Sequence, residues 1–246
     1  METSPGIINP WKGAPIRVVE RTTSTMDDAR ELARAGCPSG TVVVTGFQEK
    51  GRGRVPGRVW SSAPWESLLA TVVVRLSETA FPLLQLPLRA GVAAARAVEV
   101  SAGIALEIKW PNDLVFDGRK CAGLLCETHG HAALIGLGVN LTQKAFPPEI
   151  TDTACSLLQA SGRTVPVFTL LASFLDRLKD VLADASWREK LQARLYARGR
   201  HVSVDLLGSG RMAAGVLSDV DEEGRLIIQL DDGSFLPIAH GQLRTA

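Results

Sequence analysis

The chain has 246 residues, of which 46% are hydrophobic, and its 27 basic and 26 acidic side chains give a formal net charge of +1. This length can bury one sizeable core plus a small second domain, and the charge balance argues against a protein that coats nucleic acid or binds membranes through a basic surface. We find neither a signal-peptide pattern in residues 1–14 nor an apolar run of the roughly 18 residues that span a membrane. We therefore expect a cytoplasmic protein.

A helix is predicted over residues 25–35, because Ser24 can cap its N-terminus, apolar residues follow at helical spacing, and Gly36 can end it. The pattern then alternates between strands and helices. In chain order these are strands 41–46 and 67–75, a helix 86–100 that ends at Gly103, short strands 106–110 and 114–116, strands 119–127 and 132–141, and a broken helical stretch 166–198.

The pattern of the sequence changes at Gly199. Beyond it, short apolar segments alternate with turns at residues 208–210, 221–224 and 231–233. Regular turns at this spacing predict a small antiparallel barrel. We therefore predict two domains, residues 1–199 and 200–246.

The segment 51–58 (GRGRVPGR), which is followed by Trp60, combines three glycines with three arginines. Glycine lets backbone N–H groups face an anion, and arginine offers a planar fork to phosphate or carboxylate. No Gly-Lys-Ser/Thr follows, so the segment is not a P-loop, and the glycine spacing does not fit a dinucleotide fingerprint. The alternative is a basic surface loop.

The segment 109–113 (KWPND) predicts a rigid corner, because Pro111 fixes its own φ and favours an extended Trp110. This corner would present Asn112 and Asp113 together.

The Asp117-Gly118 dipeptide is a strong signal for a hairpin turn into the strand that carries Lys120. In an uninterrupted strand, Lys120 would share a face with Ala122 and Leu124, where a lysine is unexpected unless it reaches into a cavity. The alternative is an edge lysine that prevents aggregation.

The segment 136–140 (GLGVN) would place Gly136, Gly138 and Asn140 on one face of a strand. Two missing side chains beside an amide would leave room for a flat ring with hydrogen-bonding edges. The alternative is a glycine bulge.

Taken together, these segments resemble the biotin protein ligase family. The GRGR…GRVW loop, KWPNDL, GRK-AG and GLGVNL occur in the family's order, and residues 23–26 (TSTM) occupy the place of its Ser-Thr-Asn motif. The similarity runs from about residue 16 to the end. The resemblance implies an α+β fold of the class II synthetase-like, biotin/lipoate ligase type. That fold has a central mixed sheet with flanking helices and a small C-terminal SH3-like barrel.

The resemblance also implies the site. The residues expected to act in catalysis are Lys120, Asp113 and Arg52. The residues expected to bind biotin are Ser24, Thr25, Met26, Gln48, Arg52, Gly53, Arg54, Lys120 and Gly123. The residues expected to bind ATP or the adenylate are Arg54, Arg58, Trp60, Asn112 and Asn140. Mg²⁺ is expected to arrive with ATP, without a metal motif in the protein.

The implied activity is ATP-dependent conversion of biotin to biotinoyl-5′-AMP and transfer to a lysine in the carrier domain of a biotin-dependent carboxylase. A lipoate-type ligase and a non-catalytic module that binds biotin or a nucleotide stay open as alternatives, as does a homodimer. About 15 residues precede the first strand, too few for the helix-turn-helix of regulatory members, so we expect no nucleic-acid partner. Met26 in place of asparagine and one extra loop residue depart from the family pattern.

Overall fold

A seven-stranded mixed sheet forms the centre of the structure, a computed structural model that describes residues 6–55, 57–207 and 210–245. Its strands, in spatial order, are β1 (Ile16–Thr22), β2 (Thr41–Gln48), β5 (Ser67–Arg75), β9 (Ala132–Asn140), β8 (Arg119–His129), β7 (Asp113–Phe116) and β6 (Glu107–Lys109). β1 runs parallel to β2, and the other neighbouring strands are antiparallel. The predicted mixed sheet is confirmed.

Strand alternation divides this sheet into two faces. In β9, Ile135, Leu137 and Val139 point into the large core cluster, whereas Leu134 packs in a second, smaller cluster on the other side. This alternation follows from the period of two in a β-strand. Alternate residues of β9 therefore face the large core on one side of the sheet and the smaller cluster on the other.

Helices cover the two faces unequally. The five α-helices in the described residues are α1 (Thr25–Arg34), α2 (Leu86–Ala102), α3 (Leu157–Ser161), α4 (Val167–Leu182) and α5 (Trp187–Gln192). α1 packs on the face of the smaller cluster, beside β2, β5 and β9. α2 and α4 pack against each other on the opposite face, where the large core lies.

Local signals account for the helix ends. The Ser24 side chain accepts a hydrogen bond from the N–H of Met26 at 3.3 Å, which confirms the predicted N-cap of α1. Gly103, at φ +73°, ends α2 in the left-handed conformation that glycine adopts without strain.

A second, antiparallel sheet follows residue 199. Its strands, in spatial order, are β13 (Phe235–Ile238), β12 (Leu226–Gln229), β11 (Arg211–Val220), β10 (His201–Leu206) and β14 (Gln242–Thr245). The described pairings leave β13 and β14 as its two edges. The predicted turn at 208–210 lies partly outside the described residues. Side chains of this sheet, such as Val204 and Leu217, belong to the same core cluster as the first sheet.

A short ribbon joins β3 (Gly51–Arg52) to β4 (Val59–Trp60) within the GRGR segment, whose Pro56 lies outside the described residues. The β7–β8 hairpin turns at Asp117 and Gly118, whose φ values of +49° and +72° are those of a primed two-residue turn. The predicted hairpin turn at Asp117-Gly118 is confirmed.

The predicted face of Lys120 is wrong. Leu114 lies opposite Ala122 but Val115 lies opposite Lys120, so Cys121 is an extra residue in β8. Such a β-bulge turns the residues before it to the other face. Lys120 therefore does not share a face with Ala122, which is buried in the core.

Within the described ranges, no helix combines the length and apolar character needed to cross a membrane. All four cysteines fall within those ranges and are free thiols, and Cys121 and Cys155 are buried. Gly130 and His131 form the exposed turn between β8 and β9.

Candidate active site

A pocket opens on the face of the central sheet that carries α1. The nine residues predicted to bind biotin all line it: Ser24, Thr25, Met26, Gln48, Arg52, Gly53, Arg54, Lys120 and Gly123. Trp60 and Asn112 from the predicted nucleotide group line it as well. Its other walls come from Leu69, Ala70, Leu124, Leu125, Gly136, Leu137 and Gly138. The lining residues fall in the five stretches 24–26, 48–60, 69–70, 112–125 and 136–138, which thus meet at one site.

One end of the pocket is a buried polar network at the start of α1. The Gln48 side-chain oxygen accepts hydrogen bonds from the Thr25 N–H at 2.9 Å and the Thr25 hydroxyl at 3.1 Å. The Thr71 hydroxyl lies 2.8 Å from the Thr25 hydroxyl. Because Gln48 accepts these bonds through its oxygen, its amide N–H₂ group is left as a donor on the pocket wall.

Glycines form the floor, and larger side chains lie directly over them. A Cβ atom on Gly138 would lie 2.9 Å from the Trp60 ring, and one on Gly136 would lie 3.0 Å from the Met26 sulfur. The predicted common face of these two glycines is therefore confirmed. The missing side chains allow Trp60 and Met26 to approach the sheet.

Lys120 lies on the pocket wall as an ion pair with Asp113. Its Nζ is 2.6 Å from Asp113 Oδ1 and 5.8 Å from the centre of the Trp60 ring. A Cβ on Gly123 would come within 3.0 Å of that Nζ, so the side chain crosses the glycine on its way into the pocket. The β-bulge at Cys121 produces this orientation, so Lys120 reaches a cavity, as one of the two interpretations from sequence held, but from the other face of the strand.

Segment 153–155 fixes the backbone of Lys120 from the side opposite its neighbouring strand. The Lys120 N–H donates to the Thr153 carbonyl at 2.7 Å, and the Cys155 N–H donates to the Lys120 carbonyl at 2.9 Å. The Asn140 amide donates to the Cys155 carbonyl at 3.1 Å and to the Lys120 carbonyl at 3.5 Å. Asn140 thus braces the strand that carries Lys120 and is not among the lining residues.

The two arginines of the GRGR segment that line the pocket have different partners. Arg52 extends toward α1, where its guanidinium donates to Asp27 at 2.8 and 3.3 Å. Burial raises the pKa of Asp27, but hydrogen bonds from Arg52 and Arg30 outweigh it and hold that pKa below its usual value. The Arg52 guanidinium is therefore engaged by a carboxylate.

Arg54 turns the other way. It donates from Nε to the Asn112 side-chain oxygen at 3.1 Å and from Nη2 to the Gly241 carbonyl at 2.8 Å. Burial lowers the pKa of its guanidinium and Arg58 adds to that effect, while Asp113 opposes it. Arg54 therefore joins the GRGR segment to the KWPND corner and to the C-terminal sheet.

Arg58 and Asp113 complete the predicted set. Arg58 is exposed and is not a lining residue. Asp113 lies behind the wall, in contact with Lys120. Sequence reasoning did not identify Asp27, which holds Arg52, or Thr71, which completes the Thr25 network. Two features of the sequence could have identified them: Asp27 is an acid in the first turn of α1, and Thr71 is a polar residue within the apolar run of β5.

Within residues 6–55, 57–207 and 210–245, no cluster of three histidine, cysteine or acidic side chains could hold a metal ion. The charged residues that line the pocket are the cations Arg52, Arg54 and Lys120. Such a site suits anionic substrates.

Comparison with known proteins agrees with this geometry. The family described as the Biotin/lipoate A/B protein ligase family matches residues 18–140. The chain is 34% identical to the bifunctional ligase/repressor BirA of Bacillus spizizenii, over 86% of this chain and 68% of that protein. It is 32% identical to the biotin–[acetyl-CoA-carboxylase] ligase of Mycobacterium tuberculosis, over 87% of this chain and 82% of that protein.

A solved structure shows the same architecture. The biotin protein ligase of Aquifex aeolicus, in complex with biotin and ATP, superimposes with a TM-score of 0.82 at 29% identity, covering 93% of this chain and 97% of that one. The shared architecture, the matched family and the identity to full-length relatives agree with one another: this chain belongs to the biotin/lipoate protein ligase family, and within it to the biotin protein ligases.

Proposed function

We propose that this protein condenses biotin with ATP to form biotinoyl-5′-AMP and transfers the biotinoyl group to a lysine on the carrier domain of a biotin-dependent carboxylase. The observation that carries the proposal is the placement of Lys120. A cation paired with Asp113 lies on the wall of a pocket whose other end is polar and whose floor is glycine.

In the first step, a biotin carboxylate oxygen attacks the α-phosphorus of ATP. A new C–O–P bond forms, the bond from the α-phosphorus to the bridging oxygen breaks, and pyrophosphate leaves. Both reactants are anions, so cations at the reacting atoms lower the barrier. Lys120 and Arg54 are the pocket cations that we assign to this role.

In the second step, the neutral amine of the carrier lysine attacks the acyl carbon. An amide forms, the acyl–phosphate oxygen bond breaks, AMP leaves, and the amine loses a proton. Asp113, 2.6 Å from Lys120 and behind the pocket wall, is the carboxylate that we assign to orient the Lys120 ammonium, and the proton passes to solvent.

A buried indole supports a substrate in this pocket. Among the described residues, Trp60 Nε1 is buried without a hydrogen-bond partner. Buried donors are nearly always satisfied, so an orphan in a pocket wall suits a bound acceptor. Oxygen atoms of biotin or of its adenylate would satisfy it.

Magnesium enters the proposal as a companion of ATP. The ion keeps most of its waters and binds phosphate oxygens, so it needs few protein ligands. When bound, it would neutralise charge on the departing pyrophosphate.

The decisive experiment incubates the chain with ATP, Mg²⁺, an unmodified biotin carrier domain, and either biotin or lipoate. We expect the carrier mass to rise by one biotinoyl group only when ATP is present. A gain with lipoate alone would instead support a lipoate-type ligase. Biotin binding without release of pyrophosphate would support a non-catalytic module.

The proposal also covers the setting of the reaction. We place it in the cytoplasm, where carboxylase carriers are made, with no nucleic acid or membrane taking part. A homodimer belongs to the proposal as the assembly to test by analytical ultracentrifugation with and without biotin and ATP. The division into residues 1–199 and 200–246 likewise stays a proposal.

A further inference from the structure

The C-terminal sheet contacts the catalytic segments at two points. The carbonyl of Gly241, just before β14, accepts a hydrogen bond from Arg54 at 2.8 Å. The carbonyl of Gly224, in the turn before β12, accepts a hydrogen bond from the Trp110 indole at 3.1 Å. Both acceptors are main-chain carbonyls, so the position of the sheet itself determines where they lie.

Trp110 links the position of the C-terminal sheet to the position of the KWPND corner. It is 2% exposed and is among the largest fully buried side chains. Its ring packs close to Gly241, where a Cβ would lie 3.5 Å away. Along the chain, Trp110 precedes Asn112 and Asp113, so its anchorage locates the corner that holds both.

Arg54 provides the second route. It contacts Asn112 through Nε and Gly241 through Nη2, and it lines the pocket. Asn112 in turn exchanges two hydrogen bonds with Leu124: its amide donates to the Leu124 carbonyl at 2.9 Å, and its carbonyl accepts from the Leu124 N–H at 2.8 Å. A displacement of Gly241 would remove one of the two acceptors that hold the guanidinium.

We infer that the C-terminal sheet is a positioning element for the adenylation step, acting through the Gly241 carbonyl on Arg54 and through the Gly224 carbonyl on Trp110. This inference rests on the proposed function for its catalytic readout. Its structural part, a mechanical link between the sheet and the GRGR segment, can be measured independently of activity.

Gly241→Ala tests the Arg54 route. The new Cβ would lie 2.5 Å from a Val204 methyl carbon and 3.0 Å from the Asp205 carbonyl oxygen, so the segment must shift. We expect pyrophosphate release with biotin, ATP and Mg²⁺ to fall about tenfold, since Arg54 is then misplaced. In an Arg54→Met background the same change should cost less than about twofold, because coupled residues are not additive.

A second pair of variants separates positioning from general loosening. Trp110→Phe removes the indole donor and keeps an aromatic ring. Gln85→Glu is the matched control, because Gln85 donates to the Glu222 carbonyl in the same turn while accepting from Arg89. We expect Trp110→Phe to lower kcat for adenylation about fivefold with little change in the biotin KM, and Gln85→Glu to leave both within about twofold.

Hydrogen exchange supplies the readout that needs no activity. Amide exchange at residues 52–55 should accelerate in Gly241→Ala and stay unchanged in Gln85→Glu, with circular dichroism and the unfolding midpoint confirming folded protein. Equal losses for Gly241→Ala in both backgrounds, or wild-type rates in Gly241→Ala and Trp110→Phe, would overturn the inference. The remaining outcome is that the wild-type chain releases no pyrophosphate while exchange at residues 52–55 still accelerates in Gly241→Ala. That result would support the mechanical link and reject the proposed function.

Discussion

The two faces of the central sheet are built from the same strands but meet different demands. On the face covered by α2 and α4, aliphatic side chains such as Ile135 and Leu137 fill a continuous core. On the other face, beside α1, the alternate positions are Gly136 and Gly138, over which Met26 and Trp60 lie. On one face the strands' own side chains form the core, whereas on the other the glycines let Met26 and Trp60 approach the sheet as part of the pocket lining.

From this difference we expect substitutions on the core face to affect stability and substitutions on the pocket face to affect activity. Filling space on the core face contributes to folding through buried apolar area. On the pocket face the glycines admit Met26 and Trp60, which line the pocket, so added volume there should affect binding and turnover. Four variants test the distinction, in order of decreasing effect.

Lys120→Ala should have the largest effect, and on activity alone. It removes the cation that the proposed function places at the reacting atoms, so adenylate formation should fall about 10²- to 10³-fold. The unfolding midpoint should barely change, since the side chain is partly exposed. Pyrophosphate release and thermal unfolding measure the two quantities.

Lys109→Ala is the matched control, since that lysine packs over the Tyr196 ring, 5.6 Å from its centroid, and is not a lining residue. Its adenylation rate should stay within about threefold of wild type, as for an ordinary surface substitution. A Lys120→Ala enzyme that keeps near-wild-type turnover would remove Lys120 from the reaction.

Arg89→Met should show the converse behaviour on the core face. Arg89 is 6% exposed. Its guanidinium lies 4.3 Å from the centre of the Phe81 ring and 4.9 Å from that of the Trp187 ring, and it donates to the Val181 and Asp184 carbonyls at 2.7 and 2.8 Å. Methionine keeps the length but leaves these acceptors unpaired. The free energy of unfolding should fall by about 3 kcal/mol.

Denaturant titration measures that loss for Arg89→Met, and kcat at 20 °C should equal the wild-type value. A strong loss of kcat in protein that is still folded would mean that the two faces are not independent. The division drawn between them would then be wrong.

Gly138→Ala adds one methyl group to the pocket face. Its Cβ would lie 2.9 Å from the Trp60 ring, so the indole must move. Overpacking of this kind costs about 1–3 kcal/mol, and we expect the biotin KM to rise about tenfold. Steady-state kinetics with varied biotin would show it, and an unchanged KM would indicate that Trp60 is displaced without cost to binding.

Gly91→Ala adds the same methyl group on the core face and should have the smallest effect, in the opposite direction. Its Cβ would meet Ile108 and Leu124 methyl carbons at 3.6 and 3.7 Å, which are ordinary contacts. Alanine is favoured over glycine inside a helix by about 0.5–1 kcal/mol, so the unfolding midpoint should rise. Lower stability would show that α2 has no room for the methyl group.

The sequence by itself determined the elements whose cause is local. The Ser24 cap, the Gly103 end of α2 and the Asp117-Gly118 turn were predicted and are confirmed, because each depends on one side chain and the backbone beside it. The common face of Gly136 and Gly138 belongs to the same class, since it follows from strand period alone.

The tertiary structure decided the orientation of Lys120. The bulge at Cys121 interrupts the pairing of β8 with β7 on one side, and segment 153–155 holds Lys120 on the other. Neither partner can be identified from residues 119–127. Prediction from an unbroken alternation therefore placed Lys120 on the wrong face.

The two arginines show the same limit. Arg52 and Arg54 have the same side chain and are two positions apart, and both were predicted from the sequence to bind biotin. In the folded chain, Arg52 meets Asp27 from α1, whereas Arg54 meets Gly241, 187 residues away. Sequence sets the reach and charge of a side chain, but its partner is set by which distant segments the fold brings within that reach.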